Sequence, residues 1–174
     1  GFHDLLTLVY IMRAESAVSL DETDERLGRA QAHAVESGDS YMMAQVALQR
    51  ASLALVRKEP ALAAALLDHT DALLSLGLGE QAEATSIMVD VLRQELAIAS
   101  GDHAAAVRGL LELERSLDPD TPEAFKVTTL LADARAELGA LVEASDAYGS
   151  ALRHPVAQDP GQRLGLLINR GFLL

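Results

Sequence analysis

No cysteine and no tryptophan occur among the 174 residues, and aromatic residues make up only 3% of them. The first absence removes disulfide scaffolds, thiol catalysis and thiolate metal sites. It fits a reducing cytoplasm, which is the expected location. The shortage of aromatics leaves the core to Ala, Leu, Val and Ile, and such side chains suit closely packed helices better than sheets. Positive charge is also scarce: 14 Lys and Arg stand against 26 Asp and Glu, a net charge of −12. That field repels a phosphate backbone and an anionic bilayer, so neither direct nucleic-acid binding nor membrane binding is expected. The surplus carboxylates serve most simply as a solubilising coat, and more sharply as a docking surface for a basic partner. Long apolar runs are missing as well. The stretch from Leu5 to Met12 is cut by Arg13 and Glu15, far short of the roughly 20 residues that a bilayer span needs. No basic segment precedes it, as a secretory signal would require.

The chemistry-bearing motifs are absent too. There is no His-Glu-x-x-His zinc helix, no phosphate-cradling Gly-x4-Gly-Lys-Ser/Thr loop and no Gly-x-Ser-x-Gly elbow. Gly77-Leu78-Gly79 follows a helical pattern rather than a strand, so it reads as a helix stop and not as a dinucleotide loop. His3, His33, His69, His103 and His154 are scattered, and none stands four residues from another. Asp68, His69 and Asp71 are close in sequence, but neighbours on a helix point apart, so they read as surface residues. Asp21, Glu22, Asp24 and Glu25 suggest a calcium loop, yet Arg26 stands where the loop glycine belongs; acidic residues at a helix start are explained by the helix dipole. The expectation is therefore a non-enzyme with no catalytic residues, no metal ligands and no cofactor.

What is present is hydrophobic residue in quantity, 49% of the chain, enough for one domain with a continuous core. Its period is helical throughout. Turn and cap signals predict helices over about 2–18, 21–37 (capped by Asp21), 40–57 (capped by Asp39), 60–76 (opened by Pro60), 80–99, 103–117 (capped by Asp102), 122–139 (capped by Thr121, opened by Pro122) and 141–154, then a loop and a last helical segment over 162–174. The turns at Leu20-Asp21, Lys58-Glu59, Gly101-Asp102 and Gly139-Ala140 are 38, 43 and 38 residues apart. A unit of about 40 residues results, each a helix pair joined by a two-residue turn.

The last unit is the clearest. Leu131-Ala132 lies in its first helix, Gly139 at the turn, and Ala144, Tyr148 and Ala151 share one face of its second. Ala106 and Leu110 follow Gly101, and Ala63 and Leu67 follow Lys58, in the same way but without the ring; the first unit is degenerate. These residues resemble the tetratricopeptide signature of a Leu-small pair, a turn glycine, then small, aromatic and small. The full motif covers only residues 131–151. Units of this length are similar to the longer helical repeats of bacterial signalling and transcriptional regulators. The resemblance implies an all-α fold, a right-handed superhelical stack of about four antiparallel helix pairs (a TPR-like α-solenoid), with a plain helical bundle as the alternative. It takes 1–174 as a single repeat domain, a segment of a longer protein.

In such folds the first helix of each pair lines a concave binding face. The resemblance places Gln45, Leu48, Ser52 and Val56, then Lys126, Thr129, Asp133 and Glu137 on it, with Gln49, Arg50, Met88 and Arg93 nearby. Leu48 and Ser52 replace the basic and amide residues that grip a C-terminal carboxylate, which argues against that mode. The implied function is a non-catalytic protein- or peptide-binding and assembly module of a regulatory protein. The alternative is a ligand-sensing or dimerisation domain that controls an attached DNA-binding or cyclic-dinucleotide-synthesising output. The N-terminal helix is apolar around much of its circumference. Leu5, Leu8, Ile11 and Met12 are the residues expected to pair with a second copy.

Overall fold

The structure, a computed structural model, describes residues 1–76 and 80–173. The expected break at Gly77-Leu78-Gly79 and the last residue, Leu174, lie outside the described residues. The helices are α1 (Phe2–Glu15), α2 (Leu20–Ser37), α3 (Ser40–Val56), α4 (Pro60–Leu74), α5 (Glu80–Ala99), α6 (His103–Ser116), α7 (Pro122–Glu137), α8 (Leu141–Ala151) and α9 (Pro160–Gly171), with a short 3-10 helix at Pro155–Gln158. No strand occurs among the described residues. None of these helices is long and apolar enough to cross a membrane. Packing runs mainly between consecutive helices, in antiparallel-like pairs.

Most ends form where cap chemistry dictates. Asp39 Oδ1 accepts from the Tyr41 and Met42 N–H groups, Asp102 Oδ1 from Ala105 N–H, and Thr121 Oγ1 from Ala124 N–H. Each satisfies N–H groups that have no partner inside the helix. The expected cap at Asp21 is a correction. α1 stops at Glu15, and α2 starts at Leu20 behind Ser19, whose Oγ accepts from Glu22 N–H while Glu22 reaches back to Val18 N–H. Ser19-x-x-Glu22 is close to a capping box, which places the cap two residues before Asp21.

Contacts divide the chain into two compact units, Gly1–Leu96 and Ala97–Leu174. In the first, Ile11, Ala30, Ala34 and Val46 pack together, as do Ala14, Leu27 and Leu53. A third cluster joins Leu48 and Ala51 of α3 to Leu67 of α4 and to Val89 and Leu92 of α5. In the second, Phe125 and Ala132 of α7 meet Ala147, Tyr148 and Ala151 of α8, with Ala157 and Leu166 closing the cluster.

One turn recurs three times. Lys58, Gly101 and Gly139 have φ of 60°, 82° and 75°. Each donates its N–H to the carbonyl three residues back, and the next residue donates to the carbonyl five before it: Glu59 to Ala54, Asp102 to Ala97, Ala140 to Arg135. This is the Schellman closure, which satisfies carbonyls at the end of one helix as the chain reverses. Beyond each turn the same register is buried: Ala63, Ala106 and Ala144, then Leu67, Leu110 and Tyr148. The first pair departs from the pattern. No left-handed residue stands between α1 and α2, whose connection runs from Ser16 to Ser19.

Lys58 is the one non-glycine residue with positive φ among the described residues. A side chain there costs about 1–2 kcal/mol, partly offset by the entropy that glycine loses on folding. Lys58→Gly is expected to stabilise the fold by roughly 0.5–1 kcal/mol, read as a higher urea midpoint, and Gly139→Ala to lower it.

Candidate functional site

On α7, Lys126, Thr129, Asp133 and Glu137 recur at helical spacing on the side away from the buried Val127, Leu131 and Ala134. Lys126, Thr129 and Asp133 are half-buried and Glu137 is exposed. Thr129 Oγ1 donates to the Phe125 carbonyl. Tyr148 of α8 donates its hydroxyl proton to Asp133 Oδ1, so this stripe runs along the seam between α7 and α8. Burial pushes the Asp133 carboxyl above the ordinary range; the Tyr148 hydrogen bond opposes that shift and Glu137 adds to it. Burial raises Tyr148 as well, reinforced by the carboxylate beside it.

A carboxyl whose pKa is higher folded than unfolded destabilises the fold once ionised. Its contribution is most favourable at low pH, and it declines as pH rises from the unfolded value of about 3.9 through the raised one. Asp133→Asn keeps an acceptor for Tyr148 without the charge. It should be more stable than the parent at neutral pH, with the advantage shrinking as pH falls through the raised folded value and gone below about pH 4; paired urea titrations check this.

The stripe on α3 is less open than the resemblance implies. Gln45 donates from its side chain to Tyr41 Oη and Thr85 Oγ1, at 2.9 and 2.7 Å. Leu48 is a correction: it is buried against Leu67, Val89 and Leu92, because α5 packs over that part of α3. Met88 packs on the same cluster. Ser52 is half-buried and Val56 exposed, as the helix runs out past its neighbours. Gln49 and Arg50 are half-buried. Arg93 is tied to Asp68, at 3.1 Å, and to Asp71. The acidic run at the start of α2 is likewise paired: Asp21 and Asp24 with Arg57, Glu22 with Arg26, and Glu25 with Arg29.

The second unit holds a pocket of about 310 Å³ lined by Glu114, Phe125, Thr128, Ser150, Arg153 and His154 among others. His154 Nδ1 accepts from Val156 N–H at 3.1 Å, which places the neutral ring's proton on Nε2. His154 Nε2 is buried without a protein partner. Its ring lies 5.2 Å from that of Phe125.

Apolar surface is concentrated on two helices. Phe2, Leu5, Leu8, Val9 and Met12 of α1 are exposed, Leu5 by 59% and Met12 by 67%. On α9 the exposed residues are Leu164, Leu167 and Ile168, followed by Phe172. Ile11, expected at the same surface, is a correction: it points inward onto Ala30, Ala34 and Val46. A test of self-association must therefore spare it. Leu5→Glu with Met12→Glu is expected to convert a sedimenting dimer to monomer without loss of helicity; a parent chain monomeric at micromolar concentration would contradict that expectation.

His3 and His33, distant in sequence, are brought side by side with Glu36 where α1 meets α2. Among known proteins, no family model, no curated sequence and no solved structure matches this chain.

Proposed function

We propose that the chain is a non-catalytic helical-repeat module that binds a protein or peptide and assembles through its helix faces. The observation that carries this reading is the threefold recurrence of one helix-turn-helix unit. Lys58, Gly101 and Gly139 share dihedrals and hydrogen bonds, and a small residue and a large one are buried at the same offsets behind each. A repeated unit that buries its apolar face on its neighbours builds an extended surface rather than a closed catalytic cleft. The finer architecture in this proposal is a right-handed, TPR-like superhelix. In the second unit the binding residues proposed are the accessible part of the α7 stripe, Lys126, Thr129, Asp133 and Glu137; in the first unit they are Gln45, Ser52 and Val56 of α3. The net charge of −12 favours a basic peptide. Selection from a displayed random-peptide library should enrich Lys- and Arg-rich sequences whose binding weakens with salt and with Glu137→Lys. Failure to enrich any sequence, or enrichment insensitive to both, would overturn the proposal.

A second reading, a ligand-sensing domain, is favoured by the pocket at Phe125 and His154. A buried N–H without a partner suits a ligand that carries a hydrogen-bond acceptor. A small molecule that raises Tm for the parent but not for His154→Ala would support this reading over the first.

A further inference from the structure

We propose that His3, His33 and Glu36 form a binding site for a divalent transition-metal ion of the zinc type. His3 Nδ1 lies 2.9 Å from Glu36 Oε2, His33 Nδ1 lies 3.4 Å from the same oxygen, and the two Nδ1 atoms are 3.4 Å apart. Among the described residues these are the three His and acidic side chains that converge in this way. Three donor atoms at such separations leave a point about 1.9 Å from each in their common plane. An ion lifted slightly out of that plane meets all three at the roughly 2.0–2.2 Å of zinc–nitrogen and zinc–oxygen bonds.

Proton accounting points the same way. If both Nδ1 atoms carry protons for the carboxylate, two N–H groups face each other across the 3.4 Å edge. If one ring lacks its Nδ1 proton, that lone pair faces the carboxylate oxygen instead. If both lack it, all three edges oppose lone pairs. With Glu36 ionised, every protonation state of the two rings leaves at least one edge of like against like, and a cation satisfies all three at once. Imidazole and carboxylate together suit zinc and its first-row neighbours rather than calcium or magnesium, which take oxygen donors.

The surroundings hold the rings in place. The Tyr10 ring stacks on His33 at 5.6 Å with 15° between planes, and the Arg29 guanidinium lies over the Tyr10 ring, 5.9 Å from its centroid. Phe2 packs edge-on to His3 at 5.7 Å. Thr7 Oγ1 donates to the His3 carbonyl at 3.0 Å, which fixes the first turn of α1. Such second-layer contacts orient metal-binding rings. The His3 and Glu36 side chains are 42% and 57% exposed, so a fourth position is open to water. The ion would clamp the start of α1 to the end of α2.

The test is a titration of the tag-free full chain with Zn2+, and with Co2+ as a spectroscopic reporter. The expected result is one ion per chain, visible d–d absorption of four-coordinate Co2+, and a rise in Tm of about 5–10 °C at a hundredfold excess over Kd. His33→Ala and Glu36→Gln should each weaken Zn2+ binding about tenfold or more and abolish the Co2+ spectrum, while His69→Ala, an exposed histidine on α4, leaves both unchanged. Helical circular dichroism of the variants distinguishes lost ligation from lost folding, and Glu36→Gln preserves side-chain volume for the same reason. No saturable binding below about 100 μM, or binding unaffected by both His33→Ala and Glu36→Gln, would overturn the site.

Discussion

Tyr148→Ala is expected to destabilise the chain by about 3–5 kcal/mol, the range for truncating a buried aromatic. The ring is 3% exposed and packs with Phe125, Ala132, Ala147, Ala151 and Leu166. Ala144 and Ala151, both buried on the same face of α8, supply no bulk to refill the space. The substitution also removes the hydroxyl that donates to Asp133, leaving a half-buried carboxylate without its partner. Tm should fall by about 10 °C in a chain of this size. Tyr148→Phe separates the two contributions. It keeps the ring, loses the hydrogen bond, and should cost about 1–3 kcal/mol. An unchanged Tm for Tyr148→Ala would mean that the ring is not packed as described.

Leu67→Ala should cost about 2–5 kcal/mol. Leu67 is fully buried where α3, α4 and α5 meet, against Leu48, Ala51, Val89 and Leu92. Leu62, on the same helix, is 47% exposed, and Leu62→Ala should change stability by no more than about 0.5 kcal/mol. Leu110 occupies the position of Leu67 in the next unit and is equally buried. If the recurring turn sets the same packing each time, Leu110→Ala should fall in the same range as Leu67→Ala. Chemical denaturation of the three variants gives the comparison directly.

These two residues show how far local sequence information reaches. Caps such as Asp39, Asp102 and Thr121 are readable because their hydrogen bonds close within three residues. The offsets that bury Ala63, Ala106 and Ala144 are readable because each is counted from its own turn. Leu48 departs from its expected place for the opposite reason. Helical spacing puts it in line with Gln45 and Ser52, and only the packing of α5 over α3 makes that part of the line core. Ile11 differs from Leu8 and Met12 in the same way, since the side of α1 that faces inward is set by α2 and α3. The histidine pair is not legible within any one helix. A hairpin turning between Ser16 and Ser19 brings the first turn of α1 beside the end of α2, so His3 and His33 meet across the pair. The Ser19 cap, which the expectation at Asp21 passes over, also closes its hydrogen bond within three residues.

Amide chemical-shift mapping would show most directly whether the proposed α7 stripe binds a partner. The isotope-labelled chain would be titrated with a basic peptide drawn from the library selection. Saturable shifts centred on Lys126, Thr129, Asp133 and Glu137 are expected, weakened by added salt and lost in Glu137→Lys. Saturable binding whose shifts leave those four residues unmoved would contradict that proposal.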